Sequence, residues 1–457
     1  MTSTTTEDIA RTQPVYGAAW PSPWRGWYVT VLVMASYFIA YVDRSVVNLL
    51  IEPMKADIGL SDVEISLIVG LSFAIFFALA GIPLGRLADS ASRKWVISFS
   101  IIAWSAMTAL SGFSRGFLSL FACRVGVGVG EAGLNPSAMS IISDHFAPDK
   151  RQLPLTLYII SGVVGAGMAV IVGAGLLALG EALAANSAIL PGLRPWQWVF
   201  ILVALPGVPL ALLFMLTVKE PQRRGAGGEI LSPSGAAPLR EVFSYFRDRW
   251  RCFVPLLLGP SIILTVNVGF LVWGIPLAQR AYGLEVKDAA VIIGFPMFLS
   301  GIAGNFIGTA FARYLTKRGY ADGMLRAMLI ITTVSFVPVV IAPLMPNTLS
   351  FVLLLAPFLG MLAATVAIPQ IAFQLIVPNR LRGQTVSIFY FVINVLSYSA
   401  GPTLVALITD GVFADESKLN FSLMIVSAIA FPIAIFLFRW GLPHFGAEAK
   451  RQLGDTL

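Results

Sequence analysis

Long apolar runs separated by short polar segments recur along the whole chain. Each run holds about 20 residues or more, the length that a helix needs to cross a bilayer. The runs predict spans at 28–50, 64–85, 95–113, 117–142, 153–180 and 196–218, and again at 253–279, 289–314, 324–344, 349–376, 384–409 and 419–439. The pattern therefore predicts an all-α integral membrane protein with twelve transmembrane helices.

Polar stretches at both ends and in the middle divide this chain into two halves. We expect an N-terminal tail at 1–27, a six-helix bundle at 28–218, a linker at 219–250, a second bundle at 251–440 and a C-terminal tail at 441–457. The halves also repeat weakly, because Gly81-x-x-x-Gly85 in the second span matches Gly304-x-x-x-Gly308 in the eighth. Such a repeat favours two pseudo-symmetric bundles with a substrate site between them.

Composition and charge narrow the class of protein. Hydrophobic residues make up 57% of the chain and charged residues only 12%, which argues against a soluble enzyme, a disordered chain and a nucleic-acid binder. Of the 31 Lys and Arg residues, 23 lie on the side that carries the termini and linker, and six lie on the opposite side. The positive-inside rule then predicts cytoplasmic termini, in the plasma (cell inner) membrane.

Four charged residues lie well inside the predicted spans, and all four belong to the first half. They are Asp43 and Arg44 in span 1, and Arg124 and Glu131 in span 4. A charge held in hydrocarbon is costly, so each is a functional candidate by default. Asp43 is the predicted partner of Arg124. The alternative interpretation is a buried charge cluster that only fixes helix register.

The spacing in span 4 indicates a shared face. Arg124 and Glu131 are seven residues apart, which places them on one side of a helix about 10.5 Å apart along its axis. A carboxyl group in such surroundings can exchange a proton, so Glu131 is the predicted proton switch. Arg124 is the predicted anchor for a phosphate or carboxylate, since guanidinium stays charged and binds anions in bidentate fashion.

Other motifs point away from catalysis. The run Gly126-x-Gly128-x-Gly130 lies inside an apolar helix with no preceding strand, which favours close helix packing over nucleotide binding. Glycines in spans 5 and 8 fit either static packing or a seam along which the halves rock. The chain shows no phosphate-binding lysine loop, metal-ligand cluster or nucleophile set, so we predict no cofactor, no metal and no enzyme activity, and expect a monomer.

Residues 85–94, Gly-Arg-Leu-Ala-Asp-Ser-Ala-Ser-Arg-Lys, resemble the signature loop of the major facilitator superfamily, with Ser92 where glycine is usual. This resemblance implies twelve helices in two bundles that alternate between two access states. In that family the loop's acidic residue braces the start of span 11. The resemblance therefore implies gating roles for Gly85, Asp89, Arg93 and Arg382.

Two further segments resemble the spinster family of this superfamily. They are Tyr41-Val42-Asp43-Arg44, and the stretch from Arg124 through Gly130-Glu131-Ala132 to Pro136 and Phe146. The resemblance implies a proton-linked carrier of an amphipathic lipid, such as a lysophospholipid or sphingoid phosphate. It also implies that Glu131 and Asp43 are the proton-coupling residues and that Arg124 binds the headgroup, with Arg44 in support. The predicted substrate-binding residues are Arg124, Arg44, Tyr41, Asn267, Phe270, Trp273, Tyr390 and Asn394. The alternative is a proton-coupled symporter of a sugar acid or another small carboxylate.

Overall fold

A computed structural model of the protein describes residues 20–186, 190–224 and 239–453. Within these ranges twelve helices are long and apolar enough to cross a membrane. In the first half they are Pro23–Leu49, Asp62–Ser90, Arg93–Ser111, Phe117–His145, Gln152–Ala169 and Pro195–Thr217. In the second half they are Trp250–Tyr282, Val286–Lys317, Gly323–Leu344, Thr348–Phe373, Gln384–Phe413 and Glu416–Arg451. They are numbered spans 1 to 12, which confirms the predicted number.

Several helices run further than their apolar cores require. The helix of span 5 continues to Asn186, and the helix of span 12 runs through Leu419–Leu453, well past the predicted end at 439. The extension of span 12 carries polar, helix-favouring residues such as Glu448, Lys450 and Arg451, so it continues outside the hydrocarbon. Most of the predicted C-terminal tail is therefore helical, and its last four residues lie outside the described ranges.

Two short helices lie outside the spans. Ile51–Ile58 follows span 1 after a 3₁₀ turn and ends at Gly59, whose φ of 68° is left-handed and suits glycine. Leu239–Asp248 lies in the predicted linker and buries Val242 and Phe246 against the second half. The linker residues 225–238 and the tail residues 1–19 lie outside the described ranges.

The helix pairs repeat between the halves with an offset of six. Span 1 packs along span 5 as span 7 packs along span 11. Span 2 packs on span 4 as span 8 packs on span 10, and span 3 on span 6 as span 9 on span 12. This repetition gives two related six-helix bundles. We call the side with the chain ends and the linker the terminal side, and the opposite side the distal side.

The bundles meet where spans 2 and 11, and spans 5 and 8, lie side by side. Three of these spans contain π-helical turns at Leu67–Leu71, Ala290–Gly294 and Leu407–Phe413, all near the distal side. Such turns re-aim the residues that follow them and often mark functional segments. The contact between the bundles is therefore built from locally irregular helices near the distal side.

Candidate functional site

Two buried ion pairs join span 1 to span 4. Nε of Arg44 donates to Oε2 of Glu131 at 2.7 Å, and Nη2 of Arg44 lies 2.5 Å from the same oxygen. Nη1 of Arg124 lies 3.3 Å from Oδ1 of Asp43. The predicted pairing of Asp43 with Arg124 is therefore present, and the four charges inside the spans form two neutral pairs.

Helix geometry explains how two adjacent residues reach partners seven apart. Side chains lean toward the N-terminus of their own helix, which for span 1 is the terminal side. The long side chain of Arg44 therefore reaches back toward Glu131, which lies nearer the terminal side than Arg124. Glu131 is 1% exposed, whereas the Arg44 side chain keeps 19% of its surface. Glu131 is thus buried, whereas the side chain of Arg44 remains partly accessible.

Three aromatic rings surround the guanidinium of Arg44. Its central carbon lies 4.3 Å from the ring centre of Phe73, 4.9 Å from that of Phe77 and 5.0 Å from that of Tyr41. Phe73 and Phe77 stack on each other at 5.3 Å. A desolvated cation over such faces gains about 2 kcal/mol. The rings therefore hold the guanidinium in place independently of Glu131, a feature that sequence reasoning missed although the two phenylalanines share a helix face.

The ion pairs leave some bonding capacity unused. The hydroxyl of Thr108 on span 3 donates to Oδ2 of Asp43. Among the described residues, Oε1 of Glu131 and Nε of Arg124 are buried and have no hydrogen-bond partner. Buried polar atoms are normally bonded, so an unpaired acceptor and an unpaired donor in one site indicate room for a polar ligand group or water.

The predicted site residues of the second half are either at least partly accessible or fully buried. Tyr390 is 41% exposed, and Nδ2 of Asn394 donates to its carbonyl oxygen at 2.7 Å. Nδ2 of Asn267 lies 3.4 Å from the carbonyl oxygen of Leu359. Phe270 and Trp273, by contrast, are fully buried, and Nε1 of Trp273 donates to the carbonyl oxygen of Pro402 at 3.0 Å. In this conformation the last two pack within the second bundle and offer no surface to a ligand.

Arg93 of the signature loop is a fully buried junction on the terminal side. Its Nε donates to Glu220 at 2.7 Å, and its Nη1 donates to Asp144 at the end of span 4. Burial raises the pKa of Glu220, but hydrogen bonds from the Lys94 N–H, Arg93 and Ser92 outweigh it and hold that pKa below its usual range. Arg93 thus ties spans 3 and 4 to the start of the linker.

The expected brace between the signature loop and span 11 is not formed in this conformation. Asp89 is exposed and makes no hydrogen bond or ion pair with any described residue. A Cβ added to Gly85 would have no atom of another residue within 4 Å. Nε of Arg382 donates to the carbonyl oxygen of Val377 at 2.9 Å. The loop and span 11 belong to different bundles. Among the described residues, the polar contacts between the bundles lie on the distal side, away from this loop.

The glycines of span 4 serve packing. A Cβ on Gly128 would lie 2.8 Å from the carbonyl oxygen of Phe73, and one on Gly130 would lie 2.7 Å from the backbone nitrogen of Trp104. Span 4 therefore approaches spans 2 and 3 at backbone distance. This close approach confirms the packing interpretation of the run.

The architecture is that of a multi-pass membrane transporter: twelve spans in two repeated bundles, with paired charges inside the spans. The Major Facilitator Superfamily profile matches residues 33–402, and the chain belongs to that family.

Relatives of known name fall into more than one branch of the family. The chain is 26% identical to an MFS-type efflux pump of Mycolicibacterium smegmatis, over 86% of each chain. It is 26% identical to a probable L-galactonate transporter of Escherichia coli, over 66% of this chain and 64% of that one. It is 28% identical to Protein spinster homolog 3 of Danio rerio, over 84% of this chain and 77% of that one.

A solved structure has the same fold. It is a bacterial homolog of the human lysosomal transporter Spinster in an inward-facing, unoccupied conformation. The match has a TM-score of 0.74 at 25% identity and covers 95% of this chain and 99% of that one. The protein is therefore a transporter of the Major Facilitator Superfamily, related to spinster proteins and to sugar-acid transporters.

Proposed function

We propose that this chain is a secondary active transporter of an amphipathic organic anion, such as a lysophospholipid or a sphingoid phosphate, and that proton exchange at Glu131 drives it. The observation that carries the proposal is the two buried ion pairs between spans 1 and 4, Arg44 with Glu131 and Arg124 with Asp43, in a first half that faces a second half without charge well inside its predicted spans. A charged half that faces an uncharged half suits a molecule with a charged head and an apolar chain.

The Arg44–Glu131 pair supplies a route from proton binding to anion binding. Protonation of Glu131 on Oε1, which has no partner among the described residues, removes the charge that neutralises Arg44. The guanidinium stays in place over Phe73, Phe77 and Tyr41. An anionic headgroup then replaces the carboxylate as its partner. A proton and an anion therefore bind together, and a neutral complex crosses between the two access states.

Arg124 supplies a second contact for the headgroup. Its Nη1 pairs with Asp43 at 3.3 Å, the longer of the two pairs, and its Nε is buried without a partner in the described part of the chain. A phosphate bound between Arg44 and Arg124 satisfies this donor. Tyr390 and Asn394 lie on span 11 with exposed or half-buried surface, and we assign them to the opposite wall of the same site.

A second candidate function is proton-coupled symport of a sugar acid. It is favoured by the relative named as a probable L-galactonate transporter and by the polar side chains of Gln370, Asn394 and Asn267 in the second half. In that case a carboxylate binds Arg44 or Arg124 and these amides bind hydroxyl groups. The ion-pair chemistry is the same for both candidates, and they differ in what the second half contacts.

Transport in purified form separates the two. We expect proteoliposomes to accumulate a labelled lysophospholipid or sphingosine phosphate, and sugar acids such as galactonate to compete poorly. Arg124→Gln should abolish the uptake, whereas Arg115→Gln, at an exposed distal position, should leave it intact. Uptake of the sugar acid without uptake of either lipid would replace the first candidate by the second, and uptake of neither would reject both.

The orientation and assembly belong to the same proposal. The excess of Lys and Arg on the terminal side favours cytoplasmic termini in the plasma (cell inner) membrane, and one chain contains both bundles and the whole site, which favours a monomer.

A further inference from the structure

Five charged side chains form a network on the distal side, opposite the signature loop. Glu52 and Lys55 belong to helix Ile51–Ile58, and Asp62 begins span 2. Arg280 lies in the last turn of span 7, and Glu416 begins span 12. We call these five residues the distal ion cluster. The first three belong to one bundle and the last two to the other, so every bond between the sets joins the halves.

The bonds of the cluster are close and partly buried. Nη1 and Nη2 of Arg280 lie 2.7 and 2.8 Å from the two carboxylate oxygens of Asp62, a bidentate pair, and Asp62 is fully buried. Nε and Nη2 of Arg280 also donate to Glu52, at 2.9 and 2.7 Å. Lys55 donates to Asp62 and lies 2.8 Å from Glu416. Because Asp62 is buried, losing one of its partners leaves an uncompensated charge, which costs more than losing a surface ion pair.

Further hydrogen bonds and one close backbone contact beside the cluster join the same two bundles. Oδ2 of Asp410, in the π-helical end of span 11, accepts the backbone N–H of Val63 at 2.9 Å and so caps span 2 from the opposite half. One turn further, the hydroxyl of Ser66 lies 3.3 Å from that of Thr403. At Gly70 span 11 comes so near that an added Cβ would lie 2.3 Å from the carbonyl oxygen of Tyr398. The distal ends of spans 2 and 11 are thus fastened over several turns.

Span 1 connects the cluster to the site that holds the two buried ion pairs. Asp43 and Arg44 lie near the end of that span, and a 3₁₀ turn at Val47–Leu49 leads directly to the helix that carries Glu52 and Lys55. Asp57 at the end of that helix accepts from Nε1 of Trp196 at 3.0 Å, which anchors it to the first bundle. A shift of span 1 at the site therefore moves two members of the cluster relative to Arg280.

We propose that the distal ion cluster is the latch that holds the distal side closed, and that the distal side opens only when Arg280 separates from Asp62 and Glu52. The state of the site reaches the latch through the end of span 1. The inference rests on alternating access in the proposed function. Its test below uses no substrate, so the latch can fail while the transport proposal stands, and the reverse.

The test measures how readily spans 2 and 11 can be joined. Ser66→Cys with Thr403→Cys is built in a chain whose native Cys123 and Cys252 are replaced by alanine. The two hydroxyl oxygens lie 3.3 Å apart, so the thiols that replace them start close to each other. We expect rapid copper-catalysed cross-linking in the otherwise wild-type chain, and a rate at least about tenfold lower with Arg280→Gln, the effect of losing one charge-assisted hydrogen-bonded pair.

A matched control uses the same substitution on the same side. Arg194 pairs with Asp57 at 3.0 Å inside the first bundle only, so Arg194→Gln should leave the cross-linking rate within about twofold. Glu416→Gln, at a 55% exposed side chain, should slow cross-linking by a smaller factor and serves if Arg280→Gln does not fold. Wild-type cross-linking in both Arg280→Gln and Glu416→Gln, or equal slowing by Arg194→Gln, would overturn the latch.

Discussion

Removal of one charge from the Arg44–Glu131 pair is the change whose cost the structure defines best. Glu131 is 1% exposed and accepts two guanidinium nitrogens at 2.5 and 2.7 Å. Deleting one partner of a buried pair costs about 3–5 kcal/mol, because the other charge stays buried and uncompensated. Deleting both partners leaves no such charge. We therefore expect Glu131→Gln and Arg44→Gln each to lower stability by about 3–5 kcal/mol, and the double variant to cost less than either single one.

The assay is thermal unfolding of the purified variants in detergent. A loss of this size lowers the midpoint by several degrees, and the double-mutant cycle gives the coupling between the two side chains. The control pair is Arg326 with Asp322, which meet at 2.7 Å in the partly exposed first turn of span 9 and should show a coupling under about 0.5 kcal/mol. If the double Arg44 and Glu131 variant lost the sum of the two single losses, the pair would not act as a neutral unit, and the proposed exchange of carboxylate for substrate anion would lose its basis.

Three further predictions follow from the contacts around this site. Phe73→Leu should raise the substrate concentration for half-maximal uptake several-fold, because the guanidinium of Arg44 is held less firmly. The effect should vanish in an Arg44→Gln background. If it persisted there, the Phe73 ring would contribute only helix packing. Gly130→Ala should lower the unfolding midpoint or prevent folding, because the new methyl would lie 2.7 Å from a backbone nitrogen of span 3, whereas Gly175→Ala, with nothing within 4 Å, should raise stability by about 0.5–1 kcal/mol; equal midpoints would contradict the close packing of span 4. Glu220→Gln should lower the free energy of unfolding by about 1.5–3 kcal/mol at neutral pH. The pKa of Glu220 is lowered in the folded protein, so the wild type loses this contribution as the pH falls through that pKa, and the two proteins should become equally stable in acid. A difference in stability that stays constant across pH would refute a charge-assisted hydrogen bond at Glu220.

The spans and the charged centre of the site are readable from sequence for a simple physical reason. Hydrocarbon tolerates only helices of sufficient apolar length, so runs of hydrophobic residues predict the twelve spans directly. The same cost singles out Asp43, Arg44, Arg124 and Glu131, and the pairing of Asp43 with Arg124 was predictable because unpaired charges do not persist there.

Features that depend on how helices are placed against each other were not readable. Phe73 of span 2 contacts Arg44 of span 1, and sequence spacing does not encode such a contact between two helices. Trp273 was assigned to the site by its character, yet it is fully buried and bonded to Pro402 within the second bundle. Arg280 read as a marker of topology, since its partners Glu52 and Asp62 are more than 200 residues away in the chain.

The same limit applies to contacts that exist in only one access state. The expected brace from Asp89 to span 11 requires the terminal ends of the bundles to meet, whereas the polar bonds described between the bundles lie on the distal side. The same sequence must form both access states, and a single conformation contains the contacts of only one of them. Gating roles for Gly85, Asp89, Arg93 and Arg382 therefore remain proposals.

The central claim, that Glu131 couples a proton to an anionic substrate, is tested most directly by lysophospholipid uptake into proteoliposomes with and without an imposed pH gradient. For the wild-type chain, a gradient of the favourable direction should accelerate uptake and the opposite gradient should slow it. For Glu131→Gln, whatever uptake remains should be the same under both gradients. Equal responses of the two proteins to the gradient, or a wild-type rate that ignores it, would contradict the account.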